Sequence, residues 1–306
     1  MNRRDRARLL AVAGQLIVAA AVVAAAVAAR RNYDDVSDVI SGASPLLLAA
    51  AAAAAVATVG LLAFQWRSSL RAVGAARPFA DVARWFALGQ VGKYAPGGIW
   101  HVVGQGELAR RAEVPARLAY GSVALSNVGI VAGGAAIVAL GGLTGSIEGA
   151  PWWVAAAGTA ALCAIALPPV RRRAGSMLQV GGDGSLSLPA VLRVAAAALP
   201  AWTVIGMSTW LVAQSFDTDL SLATVVAAAS ASWMAGILTL PAPGGLGVRE
   251  AAFVALVSSQ VGTPAATVVA VSSRLVFIAA DLVCWVAARL WLTAGARPEA
   301  SSTAAD

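Results

Sequence analysis

The stretch GKYAPGGIWH (residues 92–101) contains the tetrapeptide Ala-Pro-Gly-Gly, and the same four residues recur in LPAPGGLGVRE (residues 240–250). Each copy interrupts a segment that is otherwise apolar. A helix cannot run smoothly through Pro-Gly-Gly, because proline removes a backbone donor and glycine favours other backbone geometries. The arms on either side hold about 10–20 residues, fewer than most helices need to cross a bilayer. We therefore predict two re-entrant or broken helical hairpins, at residues 79–108 and 222–261.

The composition around these breaks is that of a membrane protein. Of the 306 residues, 59% are hydrophobic and only 12% are charged, and the mean hydropathy is +0.76. A soluble globular protein carries about 25% charged residues, because it has to cover its core with a solvated face. This composition excludes a soluble enzyme, a disordered chain and a secreted disulfide scaffold, and it predicts an all-α polytopic membrane protein.

Six further apolar runs are long enough to cross the hydrocarbon core as full transmembrane helices. They are residues 9–29, 45–66, 119–141, 151–169, 191–213 and 265–291. The first run follows a basic N-terminus as a signal peptide does, but it is longer than a usual signal core and other spans follow it. We interpret it as a retained helix of a single integral membrane domain, residues 1–306, with a disordered tail at 294–306.

Loop charges predict how these helices are oriented. Arginines cluster in the N-terminus and in the loops at 67–77, 110–117 and 171–173, whereas aspartates dominate at 34–38 and 217–219. Basic loops stay in the cytoplasm by the positive-inside rule. This assignment places both termini in the cytoplasm. It also makes the first hairpin enter the membrane from the cytoplasm and the second from outside.

The two breaks also indicate an internal repeat, because Pro96 and Pro243 lie 147 residues apart. The same offset superimposes the second predicted span on the fifth and the third on the sixth, and it aligns Gly89 with Gly236. Each half, about 9–141 and 151–291, then contains two spans, a hairpin and one more span. Three spans are an odd number, so the second half is predicted to be inverted, as in many transporters. The alternative is two unrelated proline kinks in an eight-helix bundle.

The breaks and the last span carry residues suited to binding an anion. A helix that starts after Pro-Gly-Gly presents backbone N–H groups and a partial positive charge, and Lys93 and Arg249 add full charges beside the breaks. Arg274 and Asp281 lie two turns apart in the last span, where ionisable groups usually face the bundle interior. The predicted substrate-binding residues are Lys93, Tyr94, Pro96, Gly97, Gly98, Asn127, Pro243, Gly244, Gly245, Arg249, Glu250, Arg274 and Asp281.

Structural roles are an open alternative for the same residues. The glycines could serve only hairpin packing, Arg249 could pair with its neighbour Glu250, and Lys93 could extend to the membrane interface. Arg274 and Asp281 could neutralise each other, or Arg274 could bind the substrate while Asp281 couples transport to protons or cations. We find no catalytic motif, phosphate loop or dinucleotide fingerprint. We therefore predict no catalytic residue, metal or cofactor, and no nucleic-acid partner.

Taken together, residues 92–100, residues 243–250 and Arg274 resemble the membrane domain of the lysylphosphatidylglycerol synthase/flippase proteins. The likeness extends over about residues 5–295 and fits a stand-alone bacterial member without the synthase domain. It implies a flippase-like protein of the bacterial plasma membrane. Such a protein would move a phosphate-bearing lipid, either anionic or linked to polyprenyl phosphate, between the leaflets. We do not expect the synthase activity.

Two other functions fit the same features. The first is an integral-membrane enzyme or accessory subunit that acts on polyprenyl-phosphate lipids together with a glycosyltransferase or another lipid-synthesis partner. The second is a channel for small solutes, which predicts solute flux rather than lipid movement.

Overall fold

A computed structural model of the chain describes residues 42–94, 99–147, 167–178, 186–238, 245 and 247–295, with three isolated residues between 148 and 166. Within these ranges every regular element is helical. The predicted first span (9–29), most of the predicted fourth span (151–169) and the C-terminal tail from residue 296 lie outside the described residues.

The described part contains ten α-helices and one short 3-10 helix. They are α1 Pro45–Ala72, α2 Phe79–Gln90, the 3-10 helix Val91–Tyr94, α3 Trp100–Arg111, α4 Ala116–Leu143, α5 Pro168–Leu178, α6 Leu188–Ala196, α7 Leu199–Ser215, α8 Leu222–Leu238, α9 Val248–Val261 and α10 Thr263–Gly295.

Four helical segments are long and apolar enough to cross a membrane. They are α1, α4, the combined segment Leu188–Ser215 and the Thr263–Trp291 part of α10. A 28-residue helix such as α1 is about 42 Å long, more than the hydrocarbon thickness of about 30 Å. These segments confirm the second, third, fifth and sixth predicted spans, and they make the chain a multi-pass membrane protein.

The fifth span differs from the single helix predicted for it, because two residues separate α6 from α7. Ala197 still donates to the carbonyl of Arg193, but Ala198 donates to Ala195, only three residues back. Pro200 follows in the first turn of α7, where its missing N–H group needs no partner. The proline thus ends one helix and starts the next without leaving the span.

Neither hairpin contains an arm that could cross the membrane alone. Helices α2 and α3 have 12 residues each, and α8 and α9 have 17 and 14, which gives lengths of about 18–26 Å. The two arms of each hairpin pack against each other. A Cβ atom added to Gly89 would lie 2.7 Å from Cγ of Gln105, and one added to Gly236 would meet Cγ of Arg249. A glycine in each first arm therefore allows the second arm to approach closely.

The remaining helices hold the hairpins in place. Helix α1 runs beside α7, and the N–H of Ser44 donates to the carbonyl of Ser215 at 2.9 Å. The start of α1 therefore lies at the end of α7, and the two helices are antiparallel. The hairpin α2–α3 packs against α1, α4 and α10, and the hairpin α8–α9 packs against α7, α4 and α10.

Two hydrophobic clusters form the core, one at each hairpin. Trp66, Trp85 and Phe86 belong to the first cluster, and the ring centroids of Trp66 and Trp85 are 6.2 Å apart, edge to face. Trp202 and Met234 belong to the second cluster. Each hairpin thus packs against an apolar core of its own.

Candidate functional site

A cavity of about 300 Å³ lies between the two hairpins. Helix α2, the 3-10 helix and α3 form one side of it, and α8 and α9 form the other, while α1, α4 and α7 close the remainder. It is lined by Lys93, Asn127, Gly245 and Arg249 of the predicted site, and also by Gln90, His101, Gln105 and Trp233. The structure therefore brings residues of both Pro-Gly-Gly segments to one cavity, although they are far apart in sequence.

Arg249 lies in the first turn of α9 and faces this cavity. Its guanidinium carbon is 3.5 Å from the ring centroid of Trp233, a cation–π contact that covers one face of the guanidinium. Its Nε atom is buried and has no hydrogen-bond partner among the described residues. None of the ion pairs in the described part of the chain involves Arg249. This cation is therefore available to a ligand.

Glu250 binds Arg274 of α10 in an ion pair, with side chains 19% and 11% exposed. Its second carboxylate oxygen accepts a hydrogen bond of 2.7 Å from the N–H of Gly247. Gly247 has a φ of +81°, a conformation that glycine adopts without strain, so the chain can turn sharply into α9. The predicted alternative in which Glu250 pairs with Arg249 is therefore wrong.

Lys93 and Tyr94 both bind Asp281 of α10. The Lys93 ammonium lies 2.6 Å from Oδ2 of Asp281, and the Tyr94 hydroxyl donates to the same oxygen. Asp281 is 4% exposed. Lys93 thus binds a buried carboxylate instead of extending to an interface, and Arg274 and Asp281 neutralise other residues rather than each other. The predicted grouping on one face of the last span nevertheless places both of them beside the hairpins.

The charges of this group do not cancel. Lys93, Arg249 and Arg274 are three cations, and Glu250 and Asp281 are two carboxylates, each of which is already in an ion pair. Buried charges are normally paired, because removing an ion from water is expensive. One positive charge is left over, and it resides on Arg249 at the cavity wall. The site is therefore electrostatically suited to one negative charge.

The family model for the transmembrane region of lysylphosphatidylglycerol synthase matches residues 11–283. The chain belongs to this family. The match confirms the resemblance seen in the sequence and gives this multi-pass membrane protein a lipid-related function. A comparison with curated proteins found no match.

Of the other predicted site residues, two line the cavity and five lie outside the part of the chain that the structure describes. Gly245 lines the cavity, and its φ of +67° requires glycine. Asn127 also lines the cavity, and its Nδ2 donates to the carbonyl of Val123 at 2.8 Å. The predicted residues Pro96, Gly97, Gly98, Pro243 and Gly244 lie outside the described residues.

The cavity lining also includes residues that were not predicted as site residues from the sequence, among them Gln90, Gln105 and Trp233. Gln90 and Gln105 could have been recognised as site candidates because they are amides inside apolar segments, where polar groups need partners. For Trp233, the signal was the repeat itself, because the 147-residue offset aligns it with Phe86, which lines the opposite side of the cavity.

Proposed function

We propose that this protein moves a phosphate-bearing lipid from one leaflet of its membrane to the other. The observation that carries the proposal is Arg249, a cation without a carboxylate partner in the described structure, at the wall of a cavity between two hairpins. A phosphodiester headgroup carries one negative charge, which would balance the one excess positive charge of the site. Membership of a lipid-related family supports the same function.

The orientation of Arg249 supports binding through the edge of its guanidinium. Trp233 covers one face of the group, whereas the N–H donors of a guanidinium lie in its plane and match the spacing of two phosphate oxygens. In this arrangement the indole ring holds the guanidinium in position, and the donors remain directed at a headgroup. Lys93 lines the same cavity but is neutralised by Asp281, so Arg249 supplies the charge that a headgroup would meet.

We further propose that the two halves form an inverted repeat with re-entrant hairpins. The pattern of helix contacts supports this, because it is unchanged when the halves are exchanged. Helix α1 packs on α2 as α7 packs on α8, and α3 packs on α4 as α9 packs on α10. In addition, α2 packs on α10 as α8 packs on α4. In transporters of this architecture the substrate binds where the repeats meet, and alternating access comes from movement of one repeat against the other.

The proposed setting is a bacterial plasma membrane, with both termini in the cytoplasm. Arg71 and Arg110 lie in the last turns of α1 and α3 and are exposed beside other arginines, as expected of a cytoplasmic face. The hydrogen bond between Ser44 and Ser215 joins the opposite ends of two spans. This supports the assignment of the loops at 34–38 and 217–219 to one common side.

Leaflet transfer by purified protein in vesicles tests the function. We expect wild-type protein to speed the transfer of acyl-labelled phosphatidylglycerol, followed by quenching the outer-leaflet fluorophore. Arg249→Gln should abolish this acceleration, because it removes the charge and the paired donors. Arg193→Gln is the matched control, since Arg193 is exposed on α6 and bonds the carbonyl of Pro189. Equal transfer by wild-type and Arg249→Gln protein, or by wild-type protein and empty vesicles, would refute the proposal.

The chemical state of the recovered lipid separates transport from the alternative of an enzyme or accessory subunit. We expect mass spectrometry to find the transferred lipid unchanged. A modified lipid without accelerated transfer would favour the enzyme.

A further inference from the structure

The wall of the cavity opposite Arg249 contains two buried amides. Gln90 ends α2 and Gln105 lies in α3; they are 8% and 4% exposed, and both line the cavity. Within the described part of the chain, neither side chain has a hydrogen-bond partner. Both amides therefore have donors and acceptors available to a group in the cavity.

Gln105 and Arg249 each pack against a glycine in the first arm of their own hairpin. Gln105 lies against Gly89 of its own hairpin, and Arg249 lies against Gly236, the two glycines that the 147-residue offset aligns. One hairpin thus presents an amide to the cavity, and the other presents a guanidinium. Asn127 of α4 extends the neutral side, since its Nδ2 bonds Val123 and its carbonyl oxygen has no described donor.

The charge of the wall restricts what the amides can bind. The described lining residues include the cations Lys93 and Arg249 and no carboxylate. The nearest carboxylates, Glu250 and Asp281, are already bound to Arg274 and to Lys93 and Tyr94. An amino-bearing headgroup would therefore bring further positive charge to a site that already has an excess of it. Hydroxyl groups, in contrast, donate and accept as an amide does.

We propose that the cavity selects lipids whose phosphodiester carries an uncharged, hydroxyl-bearing substituent such as glycerol or a sugar. The phosphate binds Arg249, and the hydroxyl groups bind Gln90 and Gln105. This inference rests on the proposed function and specifies its substrate class. It also excludes cationic aminoacylated lipids as the preferred substrate of this family member.

Binding of three lipids to the purified full-length protein tests the inference. Phosphatidylglycerol and phosphatidylpropanol have the same charge and nearly the same size, but only the first has hydroxyl groups. Lysyl-phosphatidylglycerol adds positive charge. We expect phosphatidylglycerol to bind about tenfold more tightly than phosphatidylpropanol, the effect of one or two hydrogen bonds, and lysyl-phosphatidylglycerol to bind most weakly.

Two variants connect this preference to the amides. Gln90→Leu/Gln105→Leu should bring the ratio of the two dissociation constants towards one, because leucine is similar in size and cannot form hydrogen bonds. Gln105→Glu should weaken phosphatidylglycerol binding and strengthen binding of lysyl-phosphatidylglycerol, because it adds the carboxylate that the wall lacks. A gain of binding by this second variant cannot come from loss of folding.

The outcomes distinguish this inference from the proposed function. Equal affinities of wild-type protein for phosphatidylglycerol and phosphatidylpropanol, with both lost in Arg249→Gln, would overturn the hydroxyl subsite and leave lipid transport intact. Preferred binding of lysyl-phosphatidylglycerol would also overturn the proposed headgroup preference without contradicting lipid transport. Binding that is absent for all three lipids, or that is insensitive to Arg249→Gln, would overturn the phosphate site, and the inference would fall with it.

Discussion

Glu250 binds Arg274 on the next helix, 24 residues further along the chain, and not Arg249 beside it. This pairing joins the start of α9 to α10 and leaves the neighbouring guanidinium on Trp233. One carboxylate therefore has two effects. It neutralises a charge inside the last span, and it leaves the adjacent cation available for the cavity.

Breaking this pair should destabilise the protein strongly. Glu250→Ala removes the carboxylate that Arg274 binds inside the protein, together with the acceptor of the Gly247 N–H. We expect a loss of about 3–5 kcal/mol of folding free energy, because breaking a buried ion pair is costly. Glu250→Gln should be milder, because an amide oxygen still accepts from Gly247. The double variant Glu250→Gln/Arg274→Gln should recover stability relative to Glu250→Gln alone. Thermal unfolding in detergent measures each step.

Glu107→Ala is the control for this cycle. Glu107 also binds arginines, Arg110 and Arg111, but at the surface of α3, where ion pairs contribute little. Its melting temperature should stay close to that of the wild type. If Glu250→Ala melted at the same temperature as Glu107→Ala, the buried pair would have no structural role.

The contact of Arg249 with Trp233 should contribute to lipid affinity. Trp233→Leu removes the aromatic face under the guanidinium, and we expect phosphatidylglycerol to bind about fivefold more weakly, the equivalent of ~1 kcal/mol. Trp233→Phe retains an aromatic ring and should fall between this variant and the wild type. The titration is best done by native mass spectrometry, which resolves bound lipid directly.

Trp285→Leu provides a matched control for this substitution. Arg289 lies 5.4 Å from the Trp285 ring, so the chain contains a second Arg–Trp contact, on α10 and outside the cavity lining. We expect its loss to leave lipid affinity unchanged. Comparable losses in both variants would indicate a general effect of removing tryptophan and not a headgroup contact.

The positions of the helices were predicted from the sequence far better than the ion pairs between them. Long apolar runs and Pro-Gly-Gly breaks depend on local chemistry, so α1, α4, α6–α7 and α10 were found within a few residues of their ends. The ion pairs depend on which helices meet. Asp281 lies seven residues after Arg274, but it binds Lys93, 188 residues earlier in the chain. Spacing along one helix predicts a shared face and does not identify the residue opposite.

The neutral side of the cavity shows a second limit of sequence reasoning. Charged residues inside a membrane segment are conspicuous, because few structural roles explain them. Glutamines are ambiguous, since they also serve packing. Gln65 is such a case, because it is fully buried and exchanges hydrogen bonds with Ser126. Only the structure separates it from Gln105, whose amide faces the cavity without a described partner.

Gly236→Ala should impair lipid binding while the helices stay intact. The added methyl group would meet the stem of the Arg249 side chain, which is flexible enough to move, so the guanidinium leaves Trp233 before the backbone shifts. We expect a large loss of leaflet transfer and a small change in melting temperature. Gly60→Ala is the control, because nothing lies within 4 Å of an added Cβ there. Unchanged transfer by Gly236→Ala would show that the position of Arg249 is not critical.

Cysteine labelling tests the inverted arrangement in intact cells. In a background of Cys163→Ser/Cys284→Ala, single cysteines at exposed positions should react with an impermeant maleimide only where they face outwards. Thr144→Cys after α4 and Asp219→Cys after α7 should be labelled before lysis.

Arg71→Cys in the last turn of α1 and Arg110→Cys in α3 should react only after lysis, because the loop charges predict that these positions lie in the cytoplasm. Arg110→Cys is the decisive position, since α3 follows a hairpin. If the segment α2–α3 crossed the membrane instead of turning back, Arg71→Cys and Arg110→Cys would lie on opposite sides. Labelling of Arg110→Cys in intact cells would therefore contradict the re-entrant hairpin, and with it the inverted repeat, whatever the lipid proves to be.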